Sequence, residues 1–102
     1  MIARIWHGVT LARDYDTYWK LLHDLVIPDY GATPGNVGVR LLRRLDGEPA
    51  HFLTLSFWES YDAIRAFAGP ELDKAKYYPE DPSYLIELEP KVLHYEVSDH
   101  DP

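Results

Sequence analysis

The groups in this chain that could move protons or hold a ligand are few and scattered. Its five histidines, His7, His23, His51, His94 and His100, fall at no spacing that makes a recognisable metal site. There is no cysteine, which removes a thiolate nucleophile, a disulfide framework and any zinc site that needs sulfur. His7 stands among apolar neighbours on its strand face, with Ala3, Ile5 and Val9. A burial-shifted imidazole there could take the proton of a phenol or hydroquinone and leave an electron-rich anion that reacts with dioxygen. The alternative is a core histidine with both nitrogens satisfied. The segment from Lys76 to Tyr84, KYYPEDPSY, makes a rigid aromatic loop. Tyr77 and Tyr78 could stack on a planar ligand at a cavity mouth, or close over the core as a surface lid. Trp58 is either packing or a pocket wall. Arg40, Arg43 and Arg44 form the one basic cluster, expected as a solvated strand edge or as dimer salt bridges.

The elements that must position these residues follow from periodicity. Ile2 to Val9 alternates as a strand. From Asp14 to about Ile27, Tyr15, Tyr18, Trp19, Leu22, Leu25 and Val26 recur at helical spacing, with Asp14 or Asp16 as the cap and Pro28 as the limit. After a loop at 31–36, Val37 to Leu45 reads as a second strand. Asp46 and Gly47 mark a hairpin, somewhat longer than two residues, into a third strand at His51 to Phe57. A helix follows at once, capped by Ser60, carrying Ile64, Phe67 and Ala68, and ended by Gly69 and Pro70. Glu71 to Glu89 holds short helical turns at most, and Val92 to Val97 is the last strand.

The order β-α-β-β-α-β predicts an α+β ferredoxin-like fold: a four-stranded antiparallel sheet with both helices on one face. Residues 1–98 form one domain and 99–102 a flexible tail. If the helix-facing side is the more apolar, it holds Ile5, His7, Val39, Leu41, Leu53, Leu55, Leu93 and Tyr95. The other side then carries Arg4, Trp6, Arg40, Leu42, Phe52, Thr54, Ser56, Val92, His94 and Glu96, with Arg4 able to meet Glu96 across the ladder. Such a mixed face suits a sheet-to-sheet homodimer, and a chain of 102 residues leaves apolar surface that association would cover. The expected interface residues are Arg4, Trp6, Leu42, Phe52, Val92, His94 and Glu96. A formal charge of −7 argues against nucleic acid and anionic membrane surfaces as partners. With no signal-peptide pattern and no membrane-spanning run, a soluble cytoplasmic protein is the default.

The junction at Trp58, Glu59 and Ser60, the strand-helix order and the length resemble the dimeric α/β-barrel superfamily, specifically antibiotic biosynthesis monooxygenase-type domains, over residues 2 to 97. The resemblance implies a homodimer whose sheets form a barrel, with one cavity per subunit. It includes cofactor-free oxygenases of aromatic polyketides or quinols, haem-degrading enzymes and proteins with no assigned reaction. The Asn, Trp and His used by the haem-degrading branch fall here on His7, Phe67 and Tyr77. The Asn and Tyr that flank Trp58 in the cofactor-free branch fall on Thr54 and Ile64. The resulting expectation is a cofactor-independent monooxygenase, or a related binder of a small phenol-like or hydroquinone-like molecule. His7 would be its base and Trp58, Phe67, Tyr77 and Tyr78 its cavity walls, with no metal and no haem or flavin. The alternatives are a non-catalytic dimeric ligand-binding or stress-associated protein and, less favoured by those substitutions, a haem-binding or haem-degrading protein.

Overall fold

Four alternating segments pair into one antiparallel sheet, as seen in a computed structural model that describes residues 1–99. The strands are β1 (Ile2–Leu11), β2 (Asn36–Leu45), β3 (Pro49–Trp58) and β4 (Leu93–Glu96), in the order β2-β3-β1-β4. The expected tail at 99–102 lies, apart from Asp99, outside the described residues, as does His100.

The first helical layer is longer than the sequence predicts. It comprises α1 (Tyr15–Leu21), a π-helical stretch at Leu22–Val26, and α2 (Ile27–Gly31), which carries Pro28 within it. Pro28 lacks an N–H and its ring ordinarily clashes with the preceding helical turn. The wider π turn just before it shifts those carbonyls out of register, so Pro28 sits at the start of α2 without ending the helix. No side-chain cap is made by Asp14, while Asp16 accepts from Arg43 Nη1 at 2.9 Å.

After β3 the chain turns directly into α3 (Tyr61–Ala68). Ser60 Oγ accepts from the Ala63 N–H at 3.2 Å, and Gly69, at φ 101°, donates its N–H to the Arg65 carbonyl at 2.8 Å. That cap and stop are as the sequence predicts. Both helices lie on one face of the sheet, so the α+β ferredoxin-like fold is as expected. Residues 71–92 then cross the open end of this layer with only a short 3-10 turn at Asp81–Ser83. Among the described residues no helix is long and apolar enough to cross a membrane.

The faces of three strands are reversed relative to expectation. In-register pairs Arg4 with Ser56, Trp6 with Thr54 and Gly8 with Phe52 point toward the helices, together with Val39 and Leu41 of β2. Ile5, His7, Leu53, Leu55, Leu93 and Tyr95 are on the outer face, beside Arg40 and Leu42. The reason is packing volume and polar satisfaction. Phe52 meets Tyr18 edge-on at 5.0 Å, and Trp58 lies 5.2 Å from Phe67. The intervening hydroxyls are all bonded: Thr54 to the Tyr30 hydroxyl at 3.1 Å, and Ser56 to Trp58 Nε1 at 2.9 Å. Once hydrogen-bonded, a hydroxyl no longer opposes burial, and the face with more aliphatic side chains need not be the one that turns inward.

Candidate functional site

The sheet and the helical layer enclose a cavity. Arg4, Trp6 and Thr54 line it from the sheet, Tyr18, Leu22, Val26 and Tyr30 from the first helical layer, and Phe67, Lys76, Tyr78 and Asp81 from α3 and the segment beyond it. Its free space is about 350 Å³ counting the open mouth, of which about 20 Å³ admits the centre of a water molecule. That is room for about one buried water.

Gly8 shapes the sheet side. A Cβ there would lie 2.3 Å from the Trp6 ring, so only glycine lets that indole lie along its own strand. The Trp6 N–H is buried without a hydrogen-bond partner; the Tyr77 hydroxyl beside it interacts electrostatically but outside hydrogen-bond geometry.

Arg4 is 2% exposed and clamps the irregular segment to the sheet. Its Nη1 donates to the Leu72 carbonyl at 2.7 Å and its Nη2 to the Lys74 carbonyl at 3.0 Å. Nη1 also lies 3.0 Å from His94 Nε2. Arg4 has only donors, so His94 accepts there and carries its proton on Nδ1, facing Asp73 Oδ1 at 3.2 Å. Burial, and then the Arg4 charge, hold His94 below its ordinary value, against the opposing pull of Asp73.

Two carboxylates organise the mouth. Asp81 is buried, accepting from the Tyr18 hydroxyl at 2.8 Å and the Tyr78 N–H at 2.7 Å. Burial pushes its carboxyl up by more than those bonds pull it down. Asp29 accepts from Lys76 Nζ at 2.8 Å and from the Tyr78 hydroxyl. Burial raises the Asp29 carboxyl, but these partners together outweigh it and the group sits below its ordinary range. Lys76 Nζ also stands 4.3 Å above the Phe67 ring, a cation–π contact at the rim. Tyr18, Tyr30 and Tyr78 are all pushed above the ordinary phenol range, with burial the largest cause and an anionic neighbour adding to it in each.

Of the cavity walls expected from sequence, Phe67 and Tyr78 line the space. Trp58 is fully buried behind Phe67 and Tyr30 and does not reach it. Tyr77 stands edge-on to Trp6 at 6.3 Å, donates its hydroxyl to the Glu89 carbonyl, and lines a separate depression with Glu71, Lys74 and Pro90. His7 is on the outer face, so the expected convergence of His7, Trp58 and Tyr77 on one cavity is corrected. There, His7 Nδ1 is 2.6 Å from Glu89 Oε2 and Nε2 is 3.1 Å from His51 Nδ1, with the two rings stacked at 5.4 Å.

The expected interface set changes for the same reason. Arg4, Trp6, Phe52, Val92 and the His94 side chain are buried within the subunit. Glu96 is exposed opposite Ile2 rather than Arg4, and of the set Leu42 alone lies on the outer face. Sequence reasoning missed Arg4, Tyr18, Tyr30, Lys76 and Asp81 as cavity residues. The available signal was the alternation Phe52, Thr54, Ser56, Trp58, whose two terminal rings are too large for an uncovered face.

Fold and cavity together define a ferredoxin-like α+β domain with its pocket between sheet and helices. Solved structures sharing that fold include the haem-degrader MhuD from Mycobacterium tuberculosis with two haems bound in its active site. It is 21% identical, matches 100% of both chains and has a TM-score of 0.61. A mutant of MhuD with two manganese protoporphyrin IX molecules per active site is 20% identical, with a TM-score of 0.60 over 100% of this chain and 99% of that one. No protein-family model and no curated protein matches the sequence. The likeness establishes the fold. Because these neighbours are haem-bound proteins, the expectation of a monooxygenase or binder for phenols and hydroquinones is overturned. The geometry agrees, since the intended base, His7, faces away from the cavity.

Proposed function

We propose that this protein binds a haem-type tetrapyrrole in the cavity between its sheet and helices. The observation that carries this reading is the lining itself: aromatic faces from Trp6, Tyr30, Phe67 and Tyr78, with two cations, Arg4 and Lys76, in the same walls. A planar macrocycle bearing carboxylates needs both. The haem-bound state of the structural neighbours supports the same ligand class.

The fit is to the macrocycle and its carboxylates. No histidine is among the lining residues, so no iron-centred step is assigned to this chain. Lys76 is the cation most available to a ligand, its side chain being 32% exposed and held by Asp29 alone among carboxylates. As folded, the free space is smaller than a tetrapyrrole, so binding one requires the cavity walls to part. Haemin titration should quench tryptophan emission saturably, and Lys76→Glu should weaken the binding by about tenfold, because it puts an anion where a carboxylate must dock. Saturable quenching unmoved by Lys76→Glu would place the ligand elsewhere.

The outer sheet face supports a homodimer, which we propose as the assembly. In the single chain Leu42, Leu93 and Tyr95 are 44%, 59% and 53% exposed, and Ile5, Leu53 and Leu55 join them on that face. Sedimentation at micromolar concentration should show a dimer, and Leu55→Glu should dissociate it by burying a charge in a desolvated contact. A wild-type monomer at that concentration would remove the proposal.

A further inference from the structure

We propose that His7 and His51 together bind a divalent transition-metal ion of the zinc class on the outer face of the sheet, with Glu89 orienting His7 behind it. The two imidazoles are 44 residues apart in sequence, a separation at which spacing carries no metal signal. The β1–β3 ladder makes them neighbours. His7 stands opposite Leu53 and His51 opposite Val9, so the two are diagonal partners on one face of antiparallel strands.

The geometry is that of half a coordination shell. His7 Nδ1 lies 2.6 Å from Glu89 Oε2; a carboxylate only accepts, so a neutral His7 carries its proton on Nδ1 and its lone pair on Nε2. A carboxylate behind an imidazole is the arrangement that orients metal-ligating histidines and makes them better donors. Nε2 faces His51 Nδ1 at 3.1 Å. Two nitrogens held about 2.0–2.1 Å from a tetrahedral zinc ion stand about 3.3 Å apart, so this pair is already spaced for one ion. As folded, the His51 Nδ1 proton fills the gap. An ion takes its place when that proton moves to His51 Nε2, the other neutral tautomer, with no net proton released. The His51 ring makes no other hydrogen bond among the described residues, so it can turn about Cβ–Cγ until both lone pairs converge.

The surroundings admit a cation. The His7 and Glu89 side chains are 35% and 38% exposed, and His51 walls an open hollow with Leu42, Arg44 and Leu53. The nearby arginines are engaged elsewhere, Arg44 with Asp46 at 3.1 Å and Arg43 with Asp16 at 2.9 Å. A formal charge of −7 draws cations toward the chain. Among the described residues no three His, Asp or Glu side chains gather as direct ligands, so the shell is two imidazoles completed by water. Imidazole donors suit zinc, copper or nickel, whereas magnesium and calcium take oxygen. The site is complete within one chain, independently of how the outer faces pair.

The test is calorimetric titration of Zn²⁺ into the full chain. One ion per chain is expected, undisplaced by excess Mg²⁺. His7→Ala and His51→Ala should each weaken binding by more than about tenfold. Glu89→Gln, which keeps an acceptor for Nδ1 and removes the charge, should cost about tenfold. His23→Ala and His100→Ala should leave binding unchanged. Urea midpoints measured with a chelator present show whether each variant folds. Should one fail to fold, imidazole ¹⁵N shifts of the wild-type protein decide: Zn²⁺ should move His7 Nε2 and His51 Nδ1 together. No saturable binding below about 1 mM, binding that survives loss of both imidazoles, or shifts confined to other histidines would overturn the proposal.

Discussion

Replacing Arg4 with Met should destabilise the fold by about 3 kcal/mol, because the loss leaves buried acceptors rather than a simple vacancy. The Leu72 and Lys74 carbonyls and His94 Nε2 all face this guanidinium. Methionine restores much of the volume and removes the cost of burying a charge, but it donates to none of them. The midpoint of urea unfolding measures the effect; a variant as stable as the wild type would mean that water satisfies those carbonyls. The same network gives the wild type a pH dependence of known sign. His94 is held below its ordinary value when folded, so below about pH 6.5 the unfolded chain binds more protons. The stability due to the Arg4–His94 contact is therefore complete above that pH and falls as pH drops through the folded value. His94→Gln, which can still accept from Arg4, should flatten the fall between pH 7 and pH 5 relative to the wild type. Asp81, raised by burial, titrates in both proteins and cancels in the comparison.

Gly35→Ala should be nearly as damaging, at about 3 kcal/mol, for reasons of backbone rather than charge. Gly35 has φ 90°, and an added Cβ would sit 2.4 Å from the Ala63 Cβ on α3. The backbone has little freedom to retreat, because the Gly35 carbonyl accepts from the Glu59 N–H at 2.9 Å, where β3 turns into α3. Ala63 in turn donates its N–H to the Ser60 cap. The substitution thus pushes on the first turn of α3. Thermal unfolding of the single variant and of Gly35→Ala with Ala63→Gly separates clash from strain. The pair should recover part of the loss, limited by the unrelieved φ and by about 1 kcal/mol for glycine within a helix. Full stability in the single variant would show that the loop rearranges without cost.

These two residues show how unevenly the structure was legible in the sequence. The strands, the Ser60 cap and the Gly69 stop are local, and local chemistry sufficed to place them. Pro28 was misread because the compensating π turn is a property of the neighbouring backbone, not of proline itself. The face assignment failed for a longer-range reason. Arg4, Thr54 and Ser56 look solvent-facing until their partners are in place: Leu72 and Tyr30 come from distant segments, and Trp58 turns its indole N–H back onto Ser56 from two residues along the same strand. One wrong parity then moved His7 out of the cavity and Arg4 and Trp6 into it, which changed the candidate chemistry from proton abstraction to recognition of a charged planar ring. Phe67 and Tyr78 were found because they lie beyond the sheet, where parity does not apply.

The segment that covers the cavity has its backbone bonds mostly within itself and its side-chain bonds to the body. Ala75 donates to the Pro90 carbonyl and Val92 to the Asp73 carbonyl, both internal, while Ile86 donates outward to Val9. The attachments at Arg4, Asp81 and Asp29 tie it to the body, where Ala75, Leu85 and Val92 also join the core. Were residues 71–92 to lift as one piece, native-state amide exchange would show two classes: Ala75 and Val92 protected through the excursion, and Ile86 exchanging each time the segment rises. A ligand's residence time would follow the rate of that lifting rather than the strength of any single wall contact.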